Sequence, residues 1–161
     1  MTGCVEFDHS ACIGCYACVV ACSLEHRPAW KASGSIPDEF DGAARIRVEI
    51  VGPKVREGVV QYGFRPVACR HCEDAPCLDS CPESAIWRDT KSGILSVLED
   101  KCTGCEVCLQ ACPYGAPLFH ERKAVLCDFC LKGLSDGRNG GSGKTACEAV
   151  CPAGAVHVRW P

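Results

Sequence analysis

The sequence predicts an α+β chain made of two interleaved βαβ-type units with a β-hairpin insertion. Three observations predict it. Sixteen of the 17 cysteines fall into four groups of one form, three cysteines and then a last one four residues on. Proline follows the last cysteine in three groups, at Pro82, Pro113 and Pro152, and a short apolar stretch follows each proline. Between the first and second groups lies a long segment, 23–68, part of which alternates polar and apolar residues.

Taken in order, Val5-Glu6-Phe7 reads as a first strand, with Cys4 before it as a small buried residue. The first group is Cys12, Cys15, Cys18 and Cys22. Ser23 stands where the other groups carry proline, and the insertion begins there. Residues 26–43 are rich in turn formers and read as a loop. Arg45–Ile50 has the half-buried strand pattern, Gly52-Pro53 breaks it, and Val59–Phe64 returns as the second strand. Such a hairpin is either a docking surface or a cover over the cysteine groups.

The second group is Cys69, Cys72, Cys77 and Cys81. Ala85–Trp87 and Ile94–Val97 form a second hairpin around the turn residues Asp89–Gly93. The third group is Cys102, Cys105, Cys108 and Cys112, with a short strand in Tyr114–Phe119. The fourth is Cys127, Cys130, Cys147 and Cys151. It contains a glycine-rich surface loop, 133–143, and Ala153–Val158 supplies the last strand. Proline fixes φ and cannot continue a hydrogen-bonded turn, so it directs the chain off each short helix.

Cys102–Pro113 reads C-x2-C-x2-C-x3-C-P, the run that holds cubane [4Fe–4S] clusters in bacterial two-cluster ferredoxins. Three thiolates in seven residues can wrap one corner of a cube. The fourth lies a helical turn on, about 6 Å along the axis, and reaches a second cluster. The groups therefore work in pairs. Cys12, Cys15 and Cys18 share cluster 1 with Cys151; Cys127, Cys130 and Cys147 share cluster 2 with Cys22. Cys69, Cys72 and Cys77 share cluster 3 with Cys112; Cys102, Cys105 and Cys108 share cluster 4 with Cys81. The domains follow: an outer split ferredoxin-like unit in 1–22 plus 127–161, the insertion 23–68, and an inner ferredoxin-like unit in 69–126. Zinc is the main competitor, but it favours two separated C-x2-C knuckles. Disulfides rank lower, because the cysteines come as tight ligand groups.

The remaining features narrow the function. Met1–Cys4 shows no basic n-region and no apolar stretch follows, so the expected compartment is the cytoplasm, unless a partner's signal exports the folded chain. No apolar run approaches the ~18 residues of a membrane span. The formal charge is −3, and four clusters of net −2 would take it to about −11; nucleic acid is not an expected partner. Gly140–Thr145 imitates the end of a P-loop, but Arg138 stands where that motif needs glycine. His71, between Cys69 and Cys72, is a candidate hydrogen-bond donor to a cluster sulfur. Arg70 and Lys123 read as solvated, and Tyr16, Tyr114 and Phe129 as shields against water. No catalytic constellation stands out, and no iron is left open to substrate; the expected role is non-catalytic, one-electron transfer.

Cys69-Arg-His-Cys72-Glu-Asp-Ala-Pro-Cys77, Cys102–Cys112 and Cys112-Pro-Tyr-Gly-Ala-Pro117 resemble the iron–sulfur electron-transfer subunits of the dimethyl sulfoxide reductase family. Similar four-cluster proteins accompany tungsten aldehyde oxidoreductases. The resemblance implies the same pairing of groups, one with four and two with three. Some members lack one cysteine of the third group and hold a [3Fe–4S] cluster; with Cys102, Cys105 and Cys108 all present, four [4Fe–4S] clusters are implied here. It also implies a catalytic partner with a molybdenum or tungsten pterin cofactor, and a flavin or NAD subunit is a further candidate. The alternatives are a free diffusible polyferredoxin and, lower, a structural zinc protein. The repeat and the insertion also make self-association conceivable.

Overall fold

Closely spaced turns allow this chain only short elements. The computed structural model describes residues 3–26, 44–131, 134 and 143–159. Their order is β1 (Cys4–Phe7), α1 (Ala17–Glu25), β2 (Ile46–Arg56), β3 (Val59–Ala68), α2 (Pro76–Asp79) and β4 (Ile86–Arg88). There follow β5 (Leu95–Val97), α3 (Val107–Ala111), β6 (Leu118–His120), β7 (Lys123–Val125), α4 (Ala146–Ala149) and β8 (Val156–Arg159). Among the described residues the strands pair as separate antiparallel ribbons: β1 with β8, β2 with β3, β4 with β5 and β6 with β7. The architecture is α+β, in small sheets. The predicted loop over 26–43 lies, beyond His26, outside the described residues, as does nearly all of 133–143.

Helix length follows the prolines. α2, α3 and α4 are about one turn long and stop before a Cys-Pro pair. α1 has nine residues and runs through Ser23, which stands in the proline's place. α1 packs against α4, and α2 against α3. The β1–β8 ribbon sets Val5 opposite Val158 and so joins the first described residues to the last.

The inserted hairpin is longer than its pattern suggested. Gly52-Pro53 does not end the strand. Val51 faces Gly63 and Lys54 faces Gln61, so β2 carries one extra residue, a β-bulge. A bulge is where the ladder asks for no N–H, which proline cannot supply. The strands close through Glu57-Gly58, both at positive φ, as a two-residue hairpin turn requires. The outer half is exposed, including Val55, Val60 and Tyr62. The base is not: Ile46, Val48, Val67 and Ala68 are buried. Arg47 ties it to the segment after the third group, donating to the Gly115 carbonyl at 2.6 Å.

The predicted hairpin at 85–97 forms as β4–β5, pairing Ile86 with Val97. A further ribbon, β6–β7, turns through Glu121-Arg122 at φ 45 and 63. The buried apolar residues make two cores with a shared wall. Successive strand side chains point to opposite faces, so Val67 joins one core and Ala68 the other; Ile94 and Leu95 divide in the same way. No described helix is long and apolar enough to cross a membrane.

Two glycines separate strain from crowding. Gly58 has φ +76 and open space where a Cβ would point, whereas Gly104 has φ +72 and the Arg122 carbonyl oxygen 2.1 Å from that position. Gly58→Ala is expected to cost about 1–2 kcal/mol, and Gly104→Ala clearly more, in urea melts of the purified protein. Equal losses would show that the Arg122 turn yields freely.

Candidate metal centres

The four cysteine loops share one backbone device. The residue before the second cysteine takes positive φ in every group: Gly14 (68°), His71 (51°), Gly104 (72°) and Phe129 (54°). A left-handed residue turns successive N–H groups toward one concave side, a geometry suited to anions such as cluster sulfides and thiolates. Crowding explains two of the glycines: a Cβ on Gly14 would lie 2.4 Å from the Phe64 ring, and Gly104 faces Arg122. The other two positions carry rings that pack against each other, tilted by 38°. His71 and Phe129 have centroids 4.7 Å apart, and both are buried.

Each loop brings its cysteines to a last cysteine from another group. Cys81, Cys102, Cys105 and Cys108 line one hollow of about 330 Å³, open mouth included. Cys69, Cys72, Cys77 and Cys112 line a second of about 340 Å³. Cys12, Cys15, Cys18 and Cys151 line a third of about 340 Å³. Cys22, Cys127, Cys130 and Cys147 are neighbours as well: Cys147 and Cys22 both act electrostatically on Cys127 and Cys130. Cys4 lies apart in β1, half-buried, its Sγ 4.0 Å from a Glu6 carboxylate oxygen.

Backbone amides converge on the sulfurs. In the three proline-bearing groups the amide four residues beyond the last cysteine donates back to it. Ala85 reaches Cys81 at 3.3 Å, Ala116 reaches Cys112 at 3.4 Å and Ala155 reaches Cys151 at 3.2 Å. The first group lacks the proline turn. Its Cys22 receives the Arg45 amide at 3.2 Å instead, from just before β2 within the insertion. Ala124 donates to Cys102 at 3.4 Å.

Buried thiols resist ionisation. Burial, with neighbouring thiols adding to it, pushes Cys69 and Cys130 up to about 12, and Cys18 and Cys108 up to about 11. Thiolates in such surroundings need a compensating cation. Equal hollows, four thiols in each and N–H groups aimed at sulfur fit an iron–sulfide core.

A polar network borders the Cys22 set, and sequence reasoning missed it. His26 caps the end of α1; its Nε2 lies 2.8 Å from Asp128 Oδ1, and its Nδ1 lies 2.7 Å from the Cys22 carbonyl oxygen. Arg45 Nη1 meets Asp128 Oδ2 at 2.6 Å. Burial works against the His26 charge, but the bonds to Asp128 and Cys22 outweigh it and raise its pKa to about 9. Asp128 is likewise opposed by burial yet falls to about 2, through His26 and Arg45. These residues are far apart in the chain, and no spacing rule links them.

Other expectations change. His71 Nδ1 accepts the Leu95 N–H at 2.9 Å, so that nitrogen has no proton for the Cys69 sulfur 3.9 Å away. Burial, then Arg88, lowers the His71 pKa to about 4 and keeps the ring neutral. Arg70 stacks over the Tyr114 ring at 4.3 Å, and Lys123 Nζ donates to the Cys102 carbonyl at 2.5 Å. Arg70 is exposed, as a solvated residue would be, and Lys123 is half-buried. Thr145, at the end of the false P-loop, is buried before α4 with Oγ1 3.4 Å from Cys147 Sγ.

Comparison with known proteins agrees with this chemistry. A 4Fe-4S dicluster domain model matches residues 60–159, which hold the second, third and fourth groups, and a 4Fe-4S binding domain model matches 9–25, which hold the first. The chain is 38% identical over 152 residues to Protein NrfC of Escherichia coli (strain K12), covering 92% of this chain and 61% of that protein. It is 35% identical over 152 residues to the thiosulfate reductase electron transfer subunit PhsB of Salmonella typhi, covering 92% and 71%. It is 31% identical over 159 residues to a sulfite dehydrogenase subunit of Allochromatium vinosum, covering 92% and 64%. The chain spans about three fifths of the length of NrfC. By these matches, and by the cysteine loops that underlie them, the chain belongs to the 4Fe-4S dicluster domain family.

Proposed function

We propose that this chain is a non-catalytic subunit relaying single electrons through four [4Fe–4S] clusters, to or from the catalytic subunit of an oxidoreductase. The observation that carries the reading is the repeated set of three thiols from one loop and a fourth from another. Cluster 1 takes Cys12, Cys15, Cys18 and Cys151; cluster 2 takes Cys22, Cys127, Cys130 and Cys147. Cluster 3 takes Cys69, Cys72, Cys77 and Cys112; cluster 4 takes Cys81, Cys102, Cys105 and Cys108. Each cluster, when bound, accepts and returns one electron. The chain's own residues hold iron through thiolates, aim amides at the sulfurs and line the hollows with apolar groups such as Ile86, Leu95, Leu126 and Val156, which limit water.

Groups one with four and two with three make an outer and an inner ferredoxin-like unit on this reading. The packing of α1 on α4 and of α2 on α3 supports it. Two of the named relatives, the electron transfer subunit PhsB and the sulfite dehydrogenase subunit of Allochromatium vinosum, support a catalytic partner. We assign that partner a molybdenum or tungsten pterin, with the cytoplasm as the site of assembly.

Anaerobically purified protein is expected to contain about sixteen iron and sixteen sulfide per chain. Zinc without sulfide would end the cluster reading. Cys4→Ser should leave the iron content unchanged, and Cys108→Ser should lower it by about one to four iron, as one cluster is damaged or lost. Loss of iron in the Cys4 variant would redraw the ligand set. Purification from native cells should recover the chain with a large metal–pterin subunit; recovery solely as a free monomer would favour a diffusible polyferredoxin.

A further inference from the structure

We propose that His26 and Thr145 set the cluster held by Cys22, Cys127, Cys130 and Cys147 at the highest reduction potential of the four, so that a singly reduced protein keeps its electron there. The inference rests on the four-cluster reading and concerns how one centre differs from the others.

Adding an electron to a cluster makes an anion more negative, so donors to its sulfurs and nearby positive charge favour the reduced form. Among the described residues, backbone amides reach sulfurs in all four sets. Among the described residues, the Cys22 set is the one with side-chain donors placed against its sulfurs. Thr145 Oγ1 lies 3.4 Å from Cys147 Sγ, and His26 Nδ1 lies 3.5 Å from Cys22 Sγ, its one hydrogen shared between that sulfur and the Cys22 carbonyl oxygen. The His71 ring, 3.9 Å from Cys69, is no rival, because the facing nitrogen accepts the Leu95 amide.

Geometry also defines the His26 ring. Nδ1 faces the Cys22 carbonyl oxygen at 2.7 Å and Nε2 faces an Asp128 carboxylate oxygen at 2.8 Å. The Cys22 carbonyl oxygen can only accept, so Nδ1 carries hydrogen, and the ring turns that N–H toward the oxygen and the sulfur of Cys22. Asp128 holds it there while also accepting the Cys130 amide at 3.0 Å, and Arg45 joins the carboxylate at 2.6 Å. Arg45 and Asp128 offset one another in charge, so what sets this cluster apart is the hydrogen bonding to its sulfurs. Lys123 and Arg88 bring charge near clusters 4 and 3, but they bond the carbonyls of Cys102 and Cys72, not the sulfurs.

The test is a redox titration of the fully loaded protein followed by electron paramagnetic resonance, with iron content measured alongside. His26→Gln and Thr145→Val should each lower the midpoint of the highest-potential signal and leave the other three in place. Thr145→Ser, which retains the hydroxyl, should restore it. Lys123→Gln should leave that signal unmoved. An unshifted highest-potential signal in both His26→Gln and Thr145→Val, at about sixteen iron, would overturn the inference and leave the relay standing. A shift of that signal in Lys123→Gln would likewise overturn the assignment. Fewer than four clusters in the unaltered protein would overturn both readings.

Discussion

Burying a thiol beside other thiols makes ionisation unfavourable, and this chain does so in four places. Short helices, left-handed loop residues and returning amides all serve those sets. Ordinary core is scarce: Cys18, Cys22, Cys69, Cys77, Cys108 and Cys147 are themselves members of the two apolar cores. Where ligand residues double as core residues, metal binding and folding become one equilibrium. The elements around them are correspondingly slight, ribbons of two strands and, α1 apart, helices of about one turn.

The first cysteine group shows how a fixed chemical need is met by different means. Elsewhere a Cys-Pro turn brings an alanine amide back onto the last sulfur. Ser23 permits α1 to continue, so the local amide is spent inside the helix, and Arg45, within the insertion, supplies the bond. The same residue sends its guanidinium to Asp128. The return point of the insertion is therefore joined to the loop of the fourth group as well as to Cys22. The base of the following hairpin then forms part of the wall between the two cores.

Much of the fold could be read from the sequence where the pattern was local. The turn residues Asp89–Gly93 between two short apolar stretches located β4 and β5 to within a residue, because a turn of that length can only fold the stretches back on each other. Gly52-Pro53 looked like an end and is a bulge; a local breaker and a bulge share the same residues, and the ladder on either side decides. β7 went unnoticed because Lys123-Ala-Val is too short to show a period. Long-range polar bonding was out of reach. His26 and Asp128 meet across the chain, and the amide that claims His71 Nδ1 comes from Leu95 in another ribbon. The cysteine positions were plain in the sequence, but the side chains that make the four surroundings unequal were not.

His71 and Phe129 occupy the same place in two copies of the loop, and they lie ring against ring. His71 belongs to the second group and Phe129 to the fourth. The repeat is therefore not a set of detachable modules. Cutting the chain after Leu126 would separate the two rings and leave the His71 side with an uncovered aromatic face. It would also strip the shared wall, where Ala68 and Ile94 belong to the core that holds Phe129. A protein that reads as one ferredoxin nested inside another is, at this seam, a single body.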